Sequence, residues 1–134
     1  LIVDQFFAET PADESDVLHA FLDYLQNFDT IITFNGIGFD IPYLLKRCKA
    51  FKLPYDFSGV SSIDIYKKIK PFRSLLKLEQ LKQKSIERFL GIYREDQYHG
   101  GQLIDVYKIY LQTHEDELYD MLMLHNREDL EGMR

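Results

Sequence analysis

The 134-residue chain has no tryptophan and a single cysteine, Cys48. One thiol excludes a disulfide within the chain and fits a reducing, cytoplasmic compartment. No apolar run reaches the roughly 18–20 residues that a membrane-spanning helix needs, and no signal peptide is visible. The glycines match neither the dinucleotide-binding nor the phosphate-loop spacing. Ser61, Ser62 and Ser74 lack the context of a nucleophile elbow. His19, His99 and His114 show no metal-ligand spacing, and no cysteine set accompanies them. Repeats, low-complexity segments and internal linkers are absent as well. Together these absences remove the membrane, disulfide-scaffold, nucleotide-loop and zinc-finger classes.

What is present is an ordinary globular balance, 46% hydrophobic and 28% charged. A chain of this size is expected to form one compact domain over residues 1–134 with a core that needs no covalent staples. It opens at Leu1 inside a strand-like run, and "HNREDLEGMR" stops inside a helical pattern, so it reads as a piece of a longer chain. The net charge of −6 argues against a nucleic-acid binder. Its distribution is uneven: Lys46 to Arg94 holds 13 Lys/Arg against 4 Asp/Glu, and the remainder 3 against 18. A basic middle between acidic flanks suits a phosphate-tracking surface beside a metal site, and equally suits solvated helix faces.

Periodicity orders the elements. Residues 1–9 alternate and end in Phe6-Phe7-Ala8, which predicts a strand. Thr10-Pro11-Ala12-Asp13 is a helix start, with an apolar face of Val17, Leu18, Phe21, Leu22 and Leu25 and an end near Asn27. Thr30 to Phe34 is β-branched and apolar, a buried strand. A helix over 41–52 follows, with Pro42 in its first turn and Leu53-Pro54 as its stop. Val60 to Ile65 predicts a third strand and 65–70 a brief helix. Residues 76–90 predict a helix closed by Gly91. Gly100 to about Leu111 and Glu115 to Gly132 complete the chain. The β-α-β-α-β order followed by helices indicates an α/β domain with a mostly parallel sheet.

In such a sheet, ligands bind beyond the carboxyl ends of the strands. Asp40 follows the strand 30–35 at the mouth of a helix, in "TFNGIGFDIPYLL". Its carboxylate can aim into that crevice or cap the helix. Gly36 and Gly38 suit the tight turn between them. In "LHNREDL", His125 and Asp129 are four apart on a predicted helix and so share a face. An imidazole and a carboxylate so placed can serve as general base and metal ligand, or can be ordinary charges on a surface helix. Asp64 reads as a cap for the short helix, Asp105 as an exposed helix residue, and Cys48, among Lys and Arg, as a quiet helix thiol.

"DQFFAET", "TFNGIGFDIPYLLKR", "ERFLGIYRED", "HGGQLIDVYKIYL" and "HNREDL" together resemble the DEDD (DnaQ-like) exonuclease superfamily, which has a ribonuclease H-like fold. The likeness covers nearly the whole chain and is closest to the bacterial YprB-type predicted exonuclease branch. It implies two-metal hydrolysis of phosphodiester bonds in DNA or RNA at a single-stranded end, with two divalent ions, Mg or Mn, as cofactors. Carried over, Asp40 matches the acid of the second motif, and Asp129 that of the third; both would be metal ligands. His125 matches the residue that orients the attacking water. In members that use His, it lies five before the Asp; the four-residue spacing here is that of members using Tyr.

The Asp-x-Glu that the resemblance places on a first, central strand ahead of "DQFFAET" is not among these residues. Two of about four expected carboxylates therefore remain, and the piece alone is expected to be inactive. Three arrangements would satisfy the strand edges: strand 1–9 pairs directly with 30–35, a second copy of the chain fills the gap as a homodimer or by strand exchange, or a separate piece supplies the strands. A non-catalytic nucleic-acid or protein-binding module on the same fold is the alternative, and a plain α/β interaction domain with capping Asp residues is a third reading.

Overall fold

A computed structural model describes residues 2–55 and 57–134. The order of elements is helix α1 (Glu14–Leu25), strand β1 (Thr30–Thr33), helix α2 (Asp40–Ala50), strand β2 (Ser61–Asp64), and helices α3 (Ile65–Ile69), α4 (Gln83–Phe89), α5 (Gly100–Thr113) and α6 (Asp116–Gly132). β1 and β2 pair in parallel, from Thr30 opposite Ser61 to Thr33 opposite Asp64. With α2 as the crossover this is a β-α-β unit, and the chain is α/β: a short parallel sheet with flanking helices.

α1 begins where Asp13 accepts from both the backbone N–H (2.8 Å) and the hydroxyl (2.7 Å) of Thr10. Its predicted apolar face buries Leu18, Leu22 and Leu25. Leu18 and Leu22 form a core cluster with Cys48 of α2, backed by Phe21, Leu44, Phe51, Leu53 and Tyr55. Each such buried leucine contributes about 1.5–3 kcal/mol. Burial pushes the Cys48 thiol up, in line with a structural rather than reactive role. Arg47 of α2 donates to both oxygens of Glu14, at 2.5 and 2.6 Å, and ties α2 to the first turn of α1.

α2 ends in a Schellman turn. Lys52 takes φ +56°, its N–H reaches Lys49 O (3.2 Å), and that of Leu53 reaches Cys48 O (2.8 Å). The expected stop at Leu53-Pro54 is thus executed one residue earlier by backbone geometry.

Two predicted elements are corrected, and the strand read as buried is open, with Ile32 53% exposed. Residues 2–9 form no strand and pair with neither β1 nor β2. The segment is held by side chains: Gln5 donates to Met123 O and Asn126 Oδ1, each at 2.9 Å, Phe6 packs on Phe21 and Tyr24, and Phe7 sits edge-on to Tyr107, Tyr110 and Tyr119. Its aromatic run thus serves helices α1, α5 and α6. The second correction is the helix expected over 76–90, which is helical only from Gln83 to Phe89. Lys77 has φ +51°, and the Arg73 guanidinium donates to the carbonyls of Leu78 (3.3 Å) and Glu79 (2.6 Å). Those carbonyls therefore bond to a side chain, not to a helical ladder, and Leu75 stays 76% exposed.

Candidate nuclease site

The turn between β1 and α2 is built around Asp64. This last residue of β2 is 4% exposed. Its carboxylate accepts from the backbone N–H of Asn35 (2.9 Å), Ile37 (3.3 Å) and Lys67 (3.4 Å). One side chain thus caps α3, as expected, and also braces the turn that leads to Asp40. Asn35 lies at φ +62°, a conformation short polar side chains tolerate. At Gly36 a Cβ would fall 2.4 Å from the Thr33 side chain, so the tight turn excludes any larger residue there.

Asp40 is the first residue of α2, while the N-cap position belongs to Phe39 and carries no side-chain cap bond. Its carboxyl is pushed above the usual range, first by partial loss of solvent, with its own backbone N–H opposing, and then by the negative charges of Asp64 and Asp129. Asp40 also lines a cavity of about 370 Å³ with Tyr43, Leu44 and Arg47 of α2, Leu18 and Phe21 of α1, Gln5 and Phe6, and Asn126 and Leu130 of α6. The start of α2 and the middle of α6 therefore face one space.

His125 and Asp129 meet as the helical spacing predicts, with Nε2 3.3 Å from Asp129 Oδ2. Both are tied to a charged network that periodicity does not reveal. Asp96, its side chain 1% exposed, lies 2.5 Å from His125 Nδ1 and 2.6 Å from Lys84 Nζ, and accepts the Tyr98 N–H at 2.9 Å. Burial pushes its carboxyl up, but Lys84, the Tyr98 N–H and His125 outweigh that and hold it below the usual range. Arg94 grips Glu87 through Nε (2.5 Å) and Nη2 (2.6 Å) and Asp129 through Nη1 (2.5 Å). Burial opposes the charge on Arg94, yet these two carboxylates raise its pKa further above the ordinary value. Gln83 bridges Glu87 Oε1 (2.9 Å) and Asp129 O (2.7 Å).

A second Schellman turn aims this loop. Gly91 takes φ +78°, and the Ile92 N–H returns to Glu87 O at 2.8 Å, which closes α4 where the glycine predicts. Nothing local marks Lys84, Glu87, Arg94 or Asp96 in the sequence. Arg94 and Asp96 meet Asp129 and His125 of α6, 35 and 29 residues away, and Lys84 and Glu87 of α4 join through them, so only the side-by-side placement of α4 and α6 makes them a network.

The remaining readings divide. His19 is an exposed helix residue that pairs with Asp23 at 3.1 Å. Asp105 is exposed beside Lys108. His99 is the N-cap residue of α5. Within the basic middle, Arg47, Arg73, Lys84 and Arg94 are engaged internally. Lys67, Lys68, Lys70, Lys77, Lys82 and Arg88 stay exposed.

Carboxylate oxygens are the donors a hard divalent cation takes. Here, both oxygens of Asp129 already face Arg94 and His125, and among the described residues no three His, Cys, Asp or Glu side chains converge as a metal-binding group. This set does not hold an ion by itself.

A 39-residue stretch is 44% identical to a DNA polymerase of Red sea bream iridovirus, covering 28% of this chain and 4% of that protein. The chain thus spans a small fraction of the curated relative it matches. No solved structure gives a significant match. A family model described as the RNase_H superfamily matches residues 1–134, and the chain belongs to that superfamily.

Proposed function

We propose that this chain carries the second and third acid motifs of a DEDD-type exonuclease domain that hydrolyses phosphodiester bonds of DNA or RNA with divalent metal ions. One observation carries the reading. Asp40, beyond the carboxyl end of β1, lines one cavity with Asn126 and Leu130, the α6 residues on either side of Asp129, and its carboxyl is pushed up in part by the charges of Asp64 and Asp129. Superfamily membership and the short likeness to a DNA polymerase support a nucleic-acid substrate. The exposed Lys and Arg of the basic middle suit a phosphate backbone.

In this reading Asp40 and Asp129 belong to a set of about four carboxylates, as two cations require, and His125 lies beside Asp129. The 134 residues contribute two of the four and do not hydrolyse on their own. The other acids belong to an Asp-x-Glu strand. β1 and β2 have no further ladder neighbour among the described residues, and such a strand, supplied as a separate piece, suits a free sheet edge.

The test is hydrolysis of labelled single-stranded and duplex oligonucleotides in Mg or Mn. The chain alone is expected to leave them intact. The chain supplied with an Asp-x-Glu strand is expected to cut, and Asp40→Ala or Asp129→Ala to abolish cutting. Robust cutting by the chain alone, lost in Asp129→Ala, would contradict the division of the acid set. A non-catalytic binding module is the second reading, favoured by the Arg94 grip on Asp129. Oligonucleotide binding that never leads to cutting, even with a completed acid set, would select it.

A further inference from the structure

We propose that Arg94 and Asp96 are positioning residues, a two-toothed clamp on one loop that fixes Asp129 and His125 on α6. The proposal rests on the nuclease reading for its purpose but not for its geometry. Residues two apart on a chain reach at most about 7 Å, and residues four apart on a helix face rise about 6 Å. Arg94 and Asp96 therefore match Asp129 and His125 in spacing, in opposite chain directions. Glu128, between the two on α6, locks the register: its carboxylate accepts the backbone N–H of Glu95 (2.8 Å) and of Asp96 (2.9 Å).

Each tooth is anchored from behind by α4. Glu87, 2% exposed, holds the guanidinium fork of Arg94 on two bonds and leaves Nη1 for Asp129. Lys84 holds Asp96 Oδ2, the same oxygen that faces His125 Nδ1. An anchored carboxylate on Nδ1 fixes the ring plane and the tautomer, and turns Nε2 toward Asp129. The bidentate pairing with Glu87 fixes the guanidinium plane, so the single Nη1 bond reaches Asp129 from a set direction. The clamp thus restricts both side chains that α6 offers to the site, while leaving Asp40 on α2 untouched.

The decisive measurement is nuclear magnetic resonance of the 134-residue chain. Two-bond nitrogen–proton spectra of His125 are expected to show a proton on Nδ1, the nitrogen that faces Asp96. In Asp96→Asn the Nε2–H pattern is expected to become the major one, with the amide spectrum still that of a folded chain. For the other tooth, side-chain couplings of Asp129 are expected to report one rotamer in the wild type. They should average over several in the Glu87→Gln/Arg94→Gln pair, which leaves no buried charge unpartnered. Unchanged tautomer and rotamer in folded variants overturn the clamp. So does a wild-type His125 protonated on Nε2 alone, which decides the matter even where Asp96→Asn fails to fold. A clamp that passes in a protein that never cuts nucleic acid, even with a completed acid set, would sink the nuclease reading alone.

Discussion

Gly132 lies directly over Glu87: a Cβ built on the glycine would sit 1.8 Å from Glu87 Oε1 and 2.6 Å from Cδ. The last turn of α6 thus leaves the space in which the buried carboxylate of α4 meets Arg94. Gly132→Ala normally favours a helix by up to about 1 kcal/mol. Here it has to displace a side chain locked by Arg94 and Gln83, and overpacking of this kind costs about 1–3 kcal/mol. Urea unfolding is expected to show Gly132→Ala less stable than the wild type, the reverse of the helix-propensity order.

Arg94→Met leaves Glu87 buried and charged without its partner. Breaking a buried pair on one side costs about 3–5 kcal/mol, whereas replacing both partners by apolar groups is often neutral. The double variant Glu87→Leu/Arg94→Met is therefore expected to recover most of the loss seen in Arg94→Met. Chemical denaturation of the two single variants and the pair gives the coupling directly.

The acids of the site respond to pH with opposite signs. Asp96 is held below the usual range, so its contribution is full above the unfolded carboxyl pKa of about 3.9 and is lost as pH falls through the lower folded value. Asp40 is raised, so the folded state holds its proton longer than the unfolded chain. Its penalty is absent below the unfolded pKa and complete above the folded one. Asp40→Asn is expected to raise Tm modestly at neutral pH, because the side chain is solvent-screened, and to leave Tm unchanged in acid. Asp96→Asn is expected to lower Tm at neutral pH and to lose that difference in strong acid. Thermal scans across pH check both signs.

Leu22→Ala removes a side chain that is 5% exposed and packs on Cys48. A cost of about 2–5 kcal/mol is expected for a truncation of this kind, measured by urea unfolding.

Helices with an amphipathic stripe and a recognisable start were legible in the sequence: Leu18, Leu22 and Leu25 mark α1, and Thr30 to Thr33 with Ser61 to Asp64 mark the parallel pair. The Asp64 cap was legible too, because an acid just before a helix has few other local uses. The "DQFFAET" segment misled because alternation reports that a side chain is buried, not that a neighbouring strand exists to bury it; Phe7 finds Tyr107 and Tyr119 instead. The leucines at 76, 78 and 81 misled because the Arg73 guanidinium claims the carbonyls a helix would use. That His125 and Asp129 share a face follows from helical spacing alone. Arg94 and Asp96 do not, since loop charges become buried only through partners that tertiary packing brings to them.

The central claim is that Asp40 and Asp129 share one site. The most direct test is the carboxyl titration of Asp40, followed by carbon resonance in the wild type and in Asp129→Asn. Removing a nearby negative charge lowers a raised carboxyl pKa, so the account predicts that the Asp40 titration moves to lower pH in the variant. An Asp40 titration that does not move, with the fold intact, would contradict the account.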